Sequence, residues 1–199
     1  MRQIERNEFE DGGWILKKVG DYGRLRSFDC GNSDLNDFFQ NDCQIQKEEL
    51  LSETYALFDE ATGNDSFPVA LIALCNDSVK KADVLRFLQF TDPKKKYPFY
   101  PAVKIARLGV RSEFKRQNLG SHMINMTKWL FLCDNRTGCR LLTVDAYNQP
   151  GVIGFYDSND FQFLSDSRKD KRRRNRTMFY DLKRLKINPK PPSKTPNLI

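Results

Sequence analysis

The stretch from Ile105 to Phe131, IARLGVRSEFKRQNLGSHMINMTKWLF, constrains this chain more than any other. An apolar, strand-like segment passes into a polar turn holding Lys115, Arg116, Gln117, Asn118 and Gly120. After the turn, Met123, Ile124, Thr127, Leu130 and Phe131 recur at helical spacing. That spacing puts them on one face and predicts a helix laid against a sheet. A helix beginning near Leu119 leaves its first backbone N–H groups without intrahelical partners, and the peptide dipoles add partial positive charge there. Phosphate is the natural guest. Gly120 permits close backbone approach, and Lys115 and Arg116 add charge. A plain strand-to-helix connection with solvated basic residues fits the same residues equally well, because glycine-containing turns of this kind are common.

A length of 199 residues fits one domain with a substantial core. The 15 phenylalanines are spread along the whole chain, as in a globular protein. No run of 18 apolar residues occurs, and the opening MRQIERNEFEDGG is charged where a signal peptide needs an apolar core. The expected location is the cytoplasm, with no membrane partner. Five cysteines without a CxxC pair, and a single histidine, argue against a zinc site. Reduced, mostly buried thiols are expected, and no metal.

The net charge of +7 is not evenly placed. From Arg168 to Ile199 there are 12 Lys or Arg against two acids, while the residues before them carry 21 basic against 24 acidic. The densest part, RKDKRRRNR, puts Arg168, Lys169, Lys171, Arg172, Arg173, Arg174 and Arg176 within nine positions. Such a run can follow a nucleic-acid backbone or attract a phosphate-rich cofactor. It has no interleaved aromatics for base stacking, and a solvated loop reads the same way.

The remaining chain supplies the other elements. Trp14 to Val19 reads as a first strand. Asn32 or Ser33 can cap a helix carrying Asp34 and Asp37 early and Leu35, Phe38 and Phe39 on one face. TYALF and FPVALIALC, separated by turn residues, read as a β-hairpin. Asn76 to Pro101 looks irregular, a short helix with a loop that covers part of a ligand site or equally fills surface. Arg140 to Ala146 reads as a buried strand, parallel to the strand before the Gly120 turn by the crossover rule. A helix follows near Pro150, with Phe155 and Tyr156 toward its end. Phe161–Leu164 and Thr177–Leu182 read as a hairpin around the basic run. Residues 1–186 are expected to form one domain and 187–199 a loose Pro/Lys-rich tail.

This order of elements resembles the GNAT N-acetyltransferases over about Ile15 to Leu185. The family's coenzyme A loop, Q/R-x-x-G-x-G/A, aligns with KRQNLG, where Lys115 replaces the first residue and Asn118 the first glycine. VDAYNQPGVIGFYDSNDF resembles the segment in which an Asn precedes a short helix ending in Phe-Tyr, followed by a Gly-Phe that reads Asp160-Phe161 here. LGV, Leu108 to Val110, fits the splayed strand that bonds the pantetheine arm. FDCGNSDLNDFF resembles a branch that includes toxins of bacterial toxin–antitoxin modules, which acetylate aminoacyl-tRNA.

The resemblance implies an α/β (α+β) GNAT fold: a mixed, mostly antiparallel sheet of about six to seven strands, with a parallel splayed pair at the cofactor site and about four flanking helices. It implies transfer of the acetyl group of acetyl-CoA to a primary amine by direct attack, with Tyr156 as general acid for the departing thiolate. Cofactor contacts would come from Leu108, Gly109, Val110, Lys115, Arg116, Gln117, Asn118, Leu119, Gly120, Ser121 and Asn148. A backbone N–H near Val110 would serve the thioester oxygen. Asn148 is as well suited to capping the next helix. No Asp or Glu lies between Val103 and Val110, where many members carry a Glu; Glu113 is expected on the solvated side of the loop and His122 as a surface or packed residue. Implied partners are charged tRNA on the basic run and an antitoxin protein. The alternative is a non-catalytic GNAT fold that binds coenzyme A or nucleic acid.

Overall fold

The computed structural model describes residues 2–5, 8–62, 67–88, 97–133 and 137–187. Among them one sheet runs through the molecule: β1 (Arg2–Glu5), β2 (Glu8–Asp11), β3 (Trp14–Lys18), β4 (Glu53–Asp59), β5 (Ala70–Lys80), β6 (Phe99–Val110), β7 (Leu141–Tyr147), β8 (Gln162–Phe163) and β9 (Asn175–Asp181). Neighbours follow chain order until the end, where β9 lies between β7 and β8. Only β6 and β7 pair in parallel. Helix α4 (Leu119–Cys133) joins that pair, as a parallel neighbour requires a long crossover.

Alternation along the strands divides the core into two layers. On one face, Met123, Ile124, Met126 and Leu130 of α4 and Tyr156 of α5 (Pro150–Ser158) pack with Leu57, Ile72, Ile105 and Val144. The other face holds α1 (Ser33–Asp37), a π-helical stretch (Phe38–Asp42) and α2 (Cys43–Glu48); there Phe38, Phe39 and Cys43 pack with Ala56, Phe58, Leu71 and Ala73. Phe39 is fully buried, so truncating it to Ala costs about 3–5 kcal/mol. A third cluster gathers Val79, Ala102, Leu141 and Phe179 around Val84 of α3 (Lys81–Val84). Two short helices complete the order, α6 (Arg168–Lys171) in the basic run and α7 (Lys183–Ile187) after β9.

The β4–β5 hairpin, the parallel pair and the β8–β9 hairpin form as the sequence implies. Two readings need correction. Asn76 to Pro101 is not irregular throughout: β5 continues to Lys80 and β6 starts at Phe99, with Asp77 opposite Ala102 and Lys80 opposite Phe99. Polar residues mask that strand because Asp77 reaches across the sheet to Thr143 at 2.6 Å. Strands β1 and β2 also went unread, since EFED has a single apolar side chain, Phe9, buried in the core. The sheet therefore has nine strands among the described residues. The expected tail lies outside them from residue 188 onward.

Candidate active site

The site begins where the parallel pair ends. β6 and β7 pair from Ala102 opposite Leu141 to Ile105 opposite Val144. Beyond that, β6 stays only with β5 as far as Val110, and β7 only with β9 as far as Tyr147. The register of β6 slips at Ala106, from Ile105 opposite Leu74 to Arg107 opposite Ala73. An extra residue of this kind bends a strand and increases its twist, and the two edges part into a V. The Arg111 N–H donates to the Val69 carbonyl at 2.9 Å. This makes Val110–Ala70 a pair whose own backbone groups point away from each other. By alternation, the N–H groups of Leu108 and Val110 face the V. Gly109, between them, backs onto aromatic rings: a Cβ there would stand 3.2 Å from Phe28 and 3.3 Å from Phe39.

After β6, one 3₁₀ turn (Ser112–Phe114) leads into the loop. Arg116 and Asn118 adopt left-handed backbone, with φ of 64° and 61°. Asn118 is thus left-handed at the position where the family loop carries glycine, and Asn tolerates that conformation best among non-glycine residues. Its carbonyl accepts the His122 N–H at 3.0 Å and opens α4. Among the described residues the N–H groups of Leu119, Gly120 and Ser121 have no protein partner. They form the anion cradle that a helix start offers.

Two loop residues lie close to other parts of the chain. The Lys115 ammonium folds over Gly31, 3.1 Å from where a Cβ on that residue would stand. Gly120 is required by packing, because its Cβ would lie 3.1 Å from the Phe155 ring. This approach to α5 stands beside the one the sequence implies toward a phosphate.

The FDCGNSDLN segment explains its own composition. Asp29 accepts the Gly31 N–H and the Asn36 side-chain N–H, both at 2.7 Å. Asn36 in turn accepts the Cys30 N–H at 2.9 Å. Gly31 is left-handed, with φ of 70°, and Asn32 caps α1 by accepting the Leu35 N–H at 3.1 Å. The Ser112 N–H donates to the Asp29 carbonyl at 3.0 Å, so this braced loop holds the connection that follows β6.

Tyr156 lies near the end of α5, 6% exposed, between Phe155 at 5.0 Å and Phe161 at 5.3 Å. Burial pushes its hydroxyl pKa well above the ordinary tyrosine value, so the group stays protonated at any working pH. Among the described residues its hydroxyl has no hydrogen-bond partner. The turn behind it is pinned to α4. Lys128, 2% exposed, donates to the Asn159 carbonyl at 2.8 Å, and the Asn159 amide donates to Ser121 Oγ at 3.1 Å and to the Phe155 carbonyl at 2.8 Å. Asp160, at the family's glycine position, is left-handed with φ of 64°.

Other residues stand apart from this group. Asn148 does not cap α5; Gln149 holds that position without a side-chain bond. The Asn148 amide instead donates to the carbonyls of Lys171 and Arg173, at 3.0 and 3.1 Å. His122 is packed against β2, with Nε2 3.2 Å from the Asp11 carbonyl, and burial lowers its pKa. Glu113 is exposed, 3.7 Å from Arg111. In the basic run, Arg168, Lys169, Lys171, Arg172, Arg173 and Arg174 are exposed. Arg176 is buried, donating to Asp170 at 3.0 Å and Asp166 at 3.2 Å with its guanidinium 3.5 Å from the Phe163 ring centre. Its charge is used inside the fold and does not belong to the exposed patch.

Asp145, Lys104 and Asp77 were not read as functional. They cluster on the face opposite α4 and α5, with the Lys104 ammonium 2.9 Å from Asp145 and 3.7 Å from Asp77. Burial pushes the Asp145 pKa up, but hydrogen bonds from Thr177 and Lys104 outweigh it and hold the carboxyl below its ordinary value. The one available signal was an acid inside the apolar run LLTVDAY. Among the described residues, no three His, Cys, Asp or Glu side chains could hold a metal, and no helix is long and apolar enough to cross a membrane. The five cysteines are free; Cys30 and Cys43 are buried and Cys133 is exposed.

No family model and no curated protein matches this sequence. Solved structures do match the fold. A tyrosine-to-phenylalanine mutant of KacT superposes with a TM-score of 0.67 at 18% identity, covering 88% of this chain and 98% of that one. AtaTR bound with acetyl-CoA gives 0.61 at 19% identity, over 88% and 97%. AtaT complexed with acetyl-methionyl-tRNAfMet gives 0.64 at 20% identity, over 87% and 98%. The chain thus has the GNAT fold over most of its length.

Proposed function

We propose that this chain, sharing its fold with KacT and AtaT, is an N-acetyltransferase that uses acetyl-CoA and acts on a primary amine, with aminoacyl-tRNA as the acceptor we favour. One observation carries the reading. Among the described residues, the only parallel pair in the sheet opens after Ile105 and Val144, and the strand on one side of the opening runs into a helix start whose first three N–H groups are unpaired. Unpaired backbone donors on a 15-residue helix suit a pyrophosphate. The free strand edge at Leu108 and Val110 suits an amide-bearing arm that pairs like an added strand.

Acetyl-CoA, when bound, supplies an activated acyl group with a good leaving thiolate. The chain's own residues would do the rest. Leu119, Gly120 and Ser121 bind the diphosphate through backbone N–H, and Arg116, exposed beside them, adds charge. The Val110 or Leu108 N–H donates to the oxygen on which charge develops. Tyr156, held protonated by burial, donates to the departing sulfur. The exposed arginines 172–174 attract the phosphates of the acceptor. AtaT has been solved bound to the C-terminus of the antitoxin AtaR, and an antitoxin partner belongs to the same reading. So does a cytoplasmic location, where acetyl-CoA and charged tRNA meet. Residues 1–186 are taken as one domain.

The test is transfer of a labelled acetyl group from acetyl-CoA to a pool of charged tRNA. Label is expected on the aminoacyl group and absent from deacylated tRNA. Label that never leaves acetyl-CoA, with charged tRNA or a panel of amines, contradicts the reading.

A further inference from the structure

The face of the sheet opposite α4 and α5 carries a cleft of about 460 Å³ at the foot of the V. It is lined by Asp77, Lys104, Asp145, Arg173, Asn175 and Thr177, with Leu164 among the few apolar contributions. Its position is set by strand register. Asp145 is the first residue of β7 beyond Val144, the last to pair with β6, and Lys104 immediately precedes Ile105 on β6. A molecule in this cleft therefore approaches the opening from the side that the cofactor-bearing helices leave free.

The floor is preorganised and carries more negative than positive charge. Two carboxylates flank one ammonium, Asp145 at 2.9 Å and Asp77 at 3.7 Å from Lys104. Each carboxylate is fixed by a threonine hydroxyl: Thr177 donates to Asp145 at 2.7 Å and Thr143 to Asp77 at 2.6 Å. The Asp145 side chain remains 41% exposed, and each of its oxygens, accepting one bond from Thr177 or Lys104, can accept a second. At the rim stands Arg173, contiguous with the exposed Arg172 and Arg174. A cation-binding floor beneath an anion-binding rim fits one kind of ligand: an amine carried on a phosphate-bearing body.

We infer that this cleft is the acceptor subsite, in which Asp145 accepts a hydrogen bond from the neutral amino group of an aminoacyl group, whose lone pair stays free for attack and whose proton is released to water, while the arginines at the rim hold the attached nucleic acid. The inference rests on the acetyltransferase reading and assigns its missing substrate side. Asp145 orients the nitrogen toward the V; Lys104 and Thr177 act through it, as positioning residues.

The experiment compares wild type with Asp145→Asn in three measurements: acetyl-CoA affinity by calorimetry, affinity for deacylated tRNA, and KM for charged tRNA in the transfer assay. Asp145→Asn is expected to raise the acceptor KM at least tenfold, leaving both affinities within twofold. Thr177→Val keeps the carboxylate but frees it, and is expected to raise KM by a smaller factor. Unchanged KM in both variants, with wild-type transfer intact, overturns the subsite and spares the acetyltransferase reading. A loss of tRNA affinity equal to the rise in KM also overturns it, because the cleft would then bind the nucleic acid and not the amine. Failure of the broader reading shows separately, as a wild type that transfers acetyl to no amine.

Discussion

The chain has two basic segments near its proposed substrates, and they differ in what they offer an anion. Between Arg111 and Asn118 one of three cations is committed: Arg111 donates to the Pro68 carbonyl at 3.0 Å and lies over the Phe28 and Phe67 rings, while Lys115, close to Gly31, and Arg116 are exposed. Beside them stand fixed backbone donors, the N–H groups of Leu119, Gly120 and Ser121. Between Arg168 and Arg176 only Arg176 is buried; the other six cations are exposed, Lys171 with its ammonium 3.2 Å from Asp166. Backbone donors have fixed geometry and suit one compact anion. Exposed arginines are mobile, long-ranged and screened by salt, and suit an extended polyanion.

Four substitutions can break or sharpen that contrast. The largest effect is expected for Tyr156→Phe, which removes the proton donor at the cofactor side. Turnover should fall by about 10²–10⁴-fold with acetyl-CoA affinity unchanged; equal turnover in both proteins would remove Tyr156 from its role. Arg176→Met comes next. It leaves Asp170, 7% exposed, without its cation, and breaking such a pair costs about 3–5 kcal/mol. Chemical denaturation should show the loss; a stable variant with a weaker salt response would instead put Arg176 in the exposed patch. Gly120→Val forces a Cβ against Phe155, costing about 1–3 kcal/mol. It should displace the α5 end that carries Tyr156, read as lower thermal stability together with lower turnover. Asn118→Gly should do least: a left-handed position gains a residue suited to it at a change within about 1 kcal/mol, with cofactor affinity retained.

Much of this was legible in the sequence, for identifiable reasons. The unit from Ile105 to Phe131 combines an apolar strand, left-handed loop residues and a helical repeat, and each signal is local. The pairing of β6 with β7 followed from the helix between them. Residues whose purpose depends on distant partners were not legible. Gly120 also makes room for Phe155, 35 positions away in sequence, and no local pattern announces that contact. Asn148 looked like a cap and braces the basic loop. Arg176 is one of seven similar cations in sequence, and only the positions of Asp166, Asp170 and Phe163 single it out. The strand residues Asn76 to Lys80 read as irregular because the face they present borders a polar cleft.

The central claim is that the backbone cradle at the start of α4, and not the basic run, holds acetyl-CoA. Calorimetric titration of the full chain with acetyl-CoA, beside a variant with Arg172, Arg173 and Arg174 all changed to Gln, tests it most directly. One site with the same affinity in both proteins is the predicted result. For contrast, charged tRNA binding to the variant should lose roughly two to three from its log–log salt slope. No binding in wild type, or binding that disappears with the three arginines, would contradict the account.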